Sequence, residues 1–182
     1  MFFPKETYIL SGRTIVLRTA REDEAEMLLD YLKTVSGETR FLLREPDEIR
    51  FTEEGERAFI RARNAAPDAL MLLAFVDGEY AGNCSFEGLT GRRRSAHRVE
   101  LAIALYRKFT GFGLGRLLLE RLLSLVRELG YEQAELTVNS ENTRALRLYE
   151  SLGFRICGRI PHASKYADGT YADDVLMVCE LH

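Results

Sequence analysis

The run Thr110-Gly111-Phe112-Gly113-Leu114-Gly115-Arg116 separates an apolar stretch from a leucine-rich one. A glycine-rich turn at the start of a helix can hold an anionic group, because backbone N–H groups and the positive end of the helix dipole meet there. Two common phosphate motifs fail on spacing. A P-loop needs Lys and Ser or Thr after its last glycine, where Arg116 and Leu117 stand, and the dinucleotide fingerprint needs glycine at position 116. The turn could also merely let a strand enter a helix. Two residues upstream could move protons. Glu100 is the one ionisable side chain in the apolar stretch Val99 to Leu105 and could act as a base directly or through water, or be a structural carboxylate paired with Arg98 or another cation. His97 is a second candidate base by its ordinary pKa, with a plain loop position as the alternative.

These residues need elements to place them. Arg13 to Thr19 alternates as a half-buried strand, and Arg21 to Val35 carries leucines and methionine at helical intervals. Phe51 to Asn64 reads as a second helix that stops before Ala65-Ala66-Pro67. Leu70 to Val76 and Glu79 to Glu87 read as strands joined by Asp77-Gly78, a pair suited to a turn with positive φ at both central residues. His97 to Tyr106 returns as the next strand, and its apolar character on both faces predicts that it is central and covered. From Gly113 to Leu129 apolar residues recur at three and four, and Gly130 supplies a stop. Gln133 to Val138 is a strand, Glu141 to Leu152 a helix, and Phe154 to Ile160 and Tyr171 to Leu181 close the chain as strands. The expected fold is α/β (α+β): about seven strands in a mostly antiparallel mixed sheet, about four helices, and a single domain over residues 1–182.

A second motif lies downstream of the glycine turn. Leu136-Thr137-Val138, Asn142, Ala145, Leu148-Tyr149 and Gly153-Phe154 fill every position of the pattern LxVxxxNxxAxxLYxxxGF. This resembles the second acetyl-CoA motif of the Gcn5-related N-acetyltransferases (GNAT), and Thr110 to Gly115 resembles the (Q/R)xxGx(G/A) pyrophosphate loop of that family. Thr110 departs from the family's Gln or Arg, and Arg116 could partly replace the lost charge. The two motifs span roughly residues 99 to 155. The tail from Arg155 to Leu181 looks like the ribosomal-protein and spermidine acetyltransferase branches.

The resemblance implies a sheet splayed between its fourth and fifth strands, near Leu105 and Val138. The pantetheine arm of acetyl-CoA would pair there with the backbone of Ile103, Ala104 and Leu105. It implies cofactor contacts from Thr110, Gly111, Phe112, Gly113, Leu114, Gly115 and Arg116, and from Asn142, for which a helix-capping role is the alternative. Tyr149 matches the family tyrosine that protonates the leaving thiolate, the alternative being a core aromatic. Glu100 resembles acidic positions used as a base in some branches. The implied activity is transfer of acetyl from acetyl-CoA to a primary amine, either a small molecule such as a polyamine or a protein N-terminus, by direct attack in a ternary complex. A noncatalytic acyl-CoA sensor is the alternative. A homodimer is a family expectation.

Composition narrows the remaining classes. Cys84, Cys157 and Cys179 have neither CxxC spacing nor nearby histidines, so no disulfide framework or metal site is expected, and no local base would activate a thiol as an acetyl carrier. A net charge of −3 gives no general attraction to nucleic acid, and Arg92-Arg93-Arg94 reads as a solvated loop. The apolar runs are too short to span a membrane and the N-terminus lacks a leader pattern, so a cytoplasmic protein is expected. Glu87, Asp173 and Asp174 near strand ends could recruit a cationic acceptor.

Overall fold

The computed structural model describes residues 1–181. Its strands are β1 (Glu6–Leu10), β2 (Arg13–Thr19), β3 (Ala69–Val76), β4 (Glu79–Gly88), β5 (Arg98–Leu105), β6 (Gln133–Asn139), β7 (Arg155–Lys165) and β8 (Tyr171–Glu180). Its helices are α1 (Ala25–Glu38), α2 (Glu53–Ala65), α3 (Leu114–Glu128) and α4 (Thr143–Ser151). The strands hydrogen-bond in the order β1-β2-β3-β4-β5-β6-β8-β7. The mixed α/β fold expected from the sequence is present, with eight strands in place of about seven. The extra one is β1, a five-residue strand whose short ETYIL pattern gives little periodicity to read.

The chain forms two compact units, the first made of Met1–Glu87 and Ala102–Leu122, the second of Gly88–Leu101 and the residues from Leu123 onward. In the first unit, β1 to β4 run antiparallel in sequence order. Asp77 and Gly78 have φ of 51° and 87°, the turn that the Asp-Gly pair predicts. Helices α1 and α2 cover this sheet through Leu28, Tyr31, Val35 and Ile60, which pack with Met71, Leu73 and Tyr80. Thr52 caps α2 by accepting from the Gly55 N–H at 3.1 Å. A single 3₁₀ turn over Glu22–Glu24 leads into α1, so the α-helix starts later than the expected Arg21.

In the second unit, β5 and β6 pair in parallel over Arg98↔Gln133, Val99↔Ala134 and Glu100↔Glu135. Antiparallel β8 then pairs with β6, and β7 with β8. Helix α3, whose residues up to Leu122 belong to the first unit, buries Leu114, Leu118, Leu122 and Val126 of its apolar stripe, together with Leu119 and Leu123, while Leu129 is 42% exposed. One expectation is overturned. Strand β5 is not covered on both faces, since Glu100 and Ala102 are exposed and Ile103, Ala104 and Leu105 are half-buried. Apolar residues prefer burial, yet the end of β5 leaves part of its apolar surface open to solvent. Among the described residues, no helix is long and apolar enough to cross a membrane.

Candidate active site

Strand β5 keeps its parallel partner only as far as Glu100, and its last residues continue without a β6 partner among the described pairs. In the first unit this end is held from other directions. The Tyr31 hydroxyl donates to the Ala104 carbonyl at 2.7 Å, and the Tyr106 N–H donates to the Ala81 carbonyl at 3.0 Å. Gly82 lies so close to Ala104 and Leu105 that any Cβ would collide with that backbone, and its φ of 136° is one that other residues rarely adopt. Neither Tyr31 nor Gly82 stood out in the sequence. An isolated glycine inside a strand pattern was the available signal for the second, because it marks a close backbone approach.

After β5 the chain makes a 3₁₀ turn over Arg107–Phe109 and enters the glycine run. Gly111 and Gly113 have φ of 98° and 99°, which explains glycine at both positions. The first intrahelical bond of α3 runs from the Leu117 N–H to the Gly113 carbonyl at 3.1 Å. The N–H groups of Gly113, Leu114 and Gly115 therefore begin the helix without intrahelical acceptors, and this is the donor set an anion would use. A Cβ on Gly113 would come no nearer than 3.8 Å to Leu10, so the space before the turn is open. Thr110 spends its hydroxyl inside the turn, donating to the Arg107 carbonyl at 2.7 Å. Arg116 is exposed and pairs with Glu120 one turn along α3 at 3.3 Å. Phe112 is clamped by Arg13, whose guanidinium lies 4.6 Å from the ring centroid, and by Ser11 Oγ, which donates to its carbonyl at 3.4 Å.

The second unit holds the other expected residues. Asn142 is the N-cap of α4, and its Oδ1 accepts the Ala145 N–H at 3.2 Å. The capping alternative raised by the sequence is thus realised, and the amide nitrogen makes no hydrogen bond among the described residues. Tyr149 lies seven residues further along, two turns and about 10 Å away on the same helix face. It is 8% exposed and its ring meets Phe154 edge-on at 5.8 Å. Burial pushes its phenol up to about 12, so it stays protonated at neutral pH.

Glu100 is exposed and shares a sheet face with its register partner Glu135. The opposite face carries Val99, Ala134 and Cys179, and it is Cys179 Sγ that lies 3.8 Å from the Leu152 carbonyl at the end of α4. Alternation along β5 therefore places Glu100 on the face away from α4. Arg98 does not pair with Glu100. It forms a two-point ion pair with Glu135, one arm of it 2.7 Å long, and holds that carboxyl below its usual range. His97 precedes β5, at the end opposite the glycine turn; it is exposed, and its carbonyl accepts the N–H groups of Glu132 and Gln133. That is the loop position the sequence left as its alternative. Glu87 pairs with Arg63 at 2.7 Å and Asp173 with Arg159 at 3.0 Å, so neither is a spare acid for a cation.

Cys84 is buried, and burial pushes its thiol up to about 12; Cys179 is buried and also shifted upward by burial. Neither is a poised nucleophile. No group of three His, Cys, Asp or Glu side chains among the described residues could hold a metal ion.

Comparison with known proteins follows the same lines. Residues 36–154 match the sequence profile described as the acetyltransferase (GNAT) family. The L-amino acid N-acyltransferase MnaT of Escherichia coli (strain K12) is 31% identical over 112 residues, 61% of this chain and 64% of that protein. The chain thus spans less than two thirds of that relative's length. Among solved structures, an acetyltransferase from Streptococcus pneumoniae matches with a TM-score of 0.84 and 30% identity, covering 91% of this chain and 99% of that one. The yncA protein of Salmonella typhimurium, solved with its cofactor acetyl-CoA, matches with a TM-score of 0.79 over 92% of this chain and 94% of that one; at 22% identity this is a likeness of fold.

Proposed function

The chain belongs to the acetyltransferase (GNAT) family, and from that membership we propose that it is a single cytoplasmic transferase domain that passes acetyl from acetyl-CoA to a primary amine. The observation that carries this reading is the continuous path from the end of β5, whose residues after Glu100 have no β6 partner among the described pairs, into a glycine turn with free helix-opening amides. A pantetheine arm presents amides spaced to pair with a strand edge, and a pyrophosphate suits the amides at a helix start.

Ile103, Ala104 and Leu105 would hold the arm by their backbones. Thr110 to Arg116 would hold the pyrophosphate, with Gly113, Leu114 and Gly115 supplying main-chain donors; Asn142 would offer its free amide N–H to the arm. The acceptor reacts only as the neutral amine, so its ammonium, near ~10.4 in water, must first lose a proton. Glu100, exposed and without a cationic partner among the described residues, is the proposed acceptor of that proton, directly or through water. The amine nitrogen forms the new C–N bond as the C–S bond breaks, and Tyr149 gives its phenolic proton to the departing sulfur. A thiol titrates near ~8.5, well below Tyr149, so proton donation is concerted with C–S cleavage rather than complete before it. The buried, upward-shifted thiols of Cys84 and Cys179 argue against either one as an acetyl carrier, in keeping with direct transfer.

The acceptor is proposed to be a small-molecule amine, polyamines included; a relative named for amino-acid acylation favours this class over a protein N-terminus. The dimer is proposed to form through β7, the terminal strand of the sheet, whose Ile156 and Ile160 are 53% and 47% exposed. Thiol release from acetyl-CoA across a panel of amines, with mass spectrometry on the products, tests the activity. Amine-dependent release is expected. Tight CoA binding without release on any amine would favour a noncatalytic acyl-CoA sensor.

A further inference from the structure

The first unit contains an open cavity of about 400 Å³ lined by Met27, Thr34 and Glu38 of α1, Glu79 and Tyr80 of β4, and Tyr106 and Lys108 just beyond β5. Its charges are unevenly satisfied. Glu79 is tied to the Lys108 ammonium. Glu38 accepts only the neutral Arg107 N–H, at 2.7 Å through Oε2, and no cation pairs with it among the described residues. The cavity therefore presents a carboxylate with spare acceptor capacity and no ion-pair partner of its own among the described residues. Its wall is aromatic. Lys108 Nζ already rests 5.8 Å from the Tyr106 ring centroid and 5.1 Å from that of Phe109, so an alkylammonium is accommodated here within the chain itself. Burial first, with the Glu38 and Asp30 charges adding to it, moves the Tyr106 hydroxyl upward against the pull of Lys108, and the ring stays neutral beside a bound cation.

The cavity adjoins the strand edge assigned to the thioester arm. Tyr106 follows Leu105 directly, and its ring meets Tyr31 edge-on at 4.9 Å. Tyr31 is the residue whose hydroxyl holds the Ala104 carbonyl. An acceptor could thus keep one group in the cavity while another reaches the β5 edge.

We propose that this cavity binds a second, non-reacting ammonium group of the acceptor, with Glu38 as its counter-ion and Tyr106 as its aromatic wall, so that the acceptor is a dicationic amine. The proposal rests on the acetyltransferase reading and narrows it. A substrate carboxylate finds no spare cation here, since Lys108, the cavity's one lysine, is held by Glu79. Recognition of an ammonium by an unpaired carboxylate and an aromatic face needs no further group.

Matched acceptors test this: 1,4-diaminobutane against butylamine, each with acetyl-CoA, on the wild type and on Glu38→Gln. The glutamine keeps an oxygen for the Arg107 N–H while removing the charge. The wild type should prefer the diamine by at least tenfold in kcat/KM, and Glu38→Gln should lose most of that preference through KM while leaving butylamine turnover and acetyl-CoA affinity unchanged. Equal use of both amines by the wild type, or an undiminished preference in Glu38→Gln, would overturn the inference and leave the acetyltransferase reading intact. If neither amine is acetylated, calorimetric binding of 1,4-diaminobutane decides: weaker binding to Glu38→Gln supports the cavity assignment although the enzymatic reading has failed, and equal or absent binding rejects it. Glu38→Asp, which retains the charge, should keep part of the preference and guards against a folding artefact.

Discussion

Tyr31 on α1 and Ala104 on β5 are joined by a 2.7 Å hydrogen bond from the phenol to the carbonyl, and this bond fixes the half-buried end of β5 from the helix side. Replacing Tyr31 by Phe keeps the ring contacts with Tyr80 and Tyr106 but leaves the bond unmade. The expected loss is about 1 kcal/mol in urea unfolding. A rise in KM for acetyl-CoA should accompany it, because the strand end is less firmly placed. An unchanged urea midpoint would show that the bond adds nothing to stability.

Gly82 should tolerate no side chain. Its φ of 136° and the proximity of the Ala104 and Leu105 backbone both oppose a Cβ. Gly82→Ala should destabilise the fold by about 2 kcal/mol or more, whereas Gly78→Ala, strained in φ but with nothing within 4 Å, should cost less. Thermal melts of the two variants give the comparison.

Gly113→Val should weaken acetyl-CoA binding at least tenfold with little effect on helix α3 beyond its first turn. The reasons are the positive φ of 99° and the β-branched side chain placed beside the free amides. Calorimetric titration with CoA reads the effect directly, and equal affinity would remove the turn from the phosphate role.

Tyr149→Phe should lower kcat roughly 100-fold while sparing acetyl-CoA binding, the scale expected for loss of a general acid. Because its phenol titrates at about 12, above the ordinary 10, the proton remains in place through pH 10 and kcat should show no alkaline fall from this residue below that point. The same upward shift adds stability that is complete below pH 10 and disappears as pH rises through about 12. An alkaline limb near pH 8 that vanishes in the variant would contradict the burial argument.

Acid should weaken the Arg98–Glu135 pair. The arginine hydrogen bond holds the Glu135 carboxyl below its ordinary 4.5, so the stability it adds is present above 4.5 and is lost as pH falls through the lower, folded value. Wild type and Glu135→Gln should therefore differ in melting temperature at pH 7 and converge as the pH is lowered well below the ordinary 4.5. A constant difference across that range would mean that packing, not charge, is what the substitution removes.

The local chemistry of this protein was legible in its order of residues. Glycines at 111 and 113 foretold a turn into a helix, the leucine spacing of α3 foretold much of its buried stripe, and Asp77-Gly78 foretold a hairpin with positive φ. Each is a short-range property, set by the conformations a residue can adopt or by the period of its element. The pattern from Leu136 to Phe154 likewise carried the family, because it is written in consecutive residues. What the sequence left open depended on neighbours distant along the chain. It could not say that Arg98 takes Glu135 and leaves Glu100 alone, or that Tyr31 reaches Ala104. It also read the apolar end of β5 as covered, since hydrophobicity records a preference for burial and does not name what buries it. The tertiary structure decided those pairings, and with them which carboxylates are spent inside the fold and which remain for a ligand.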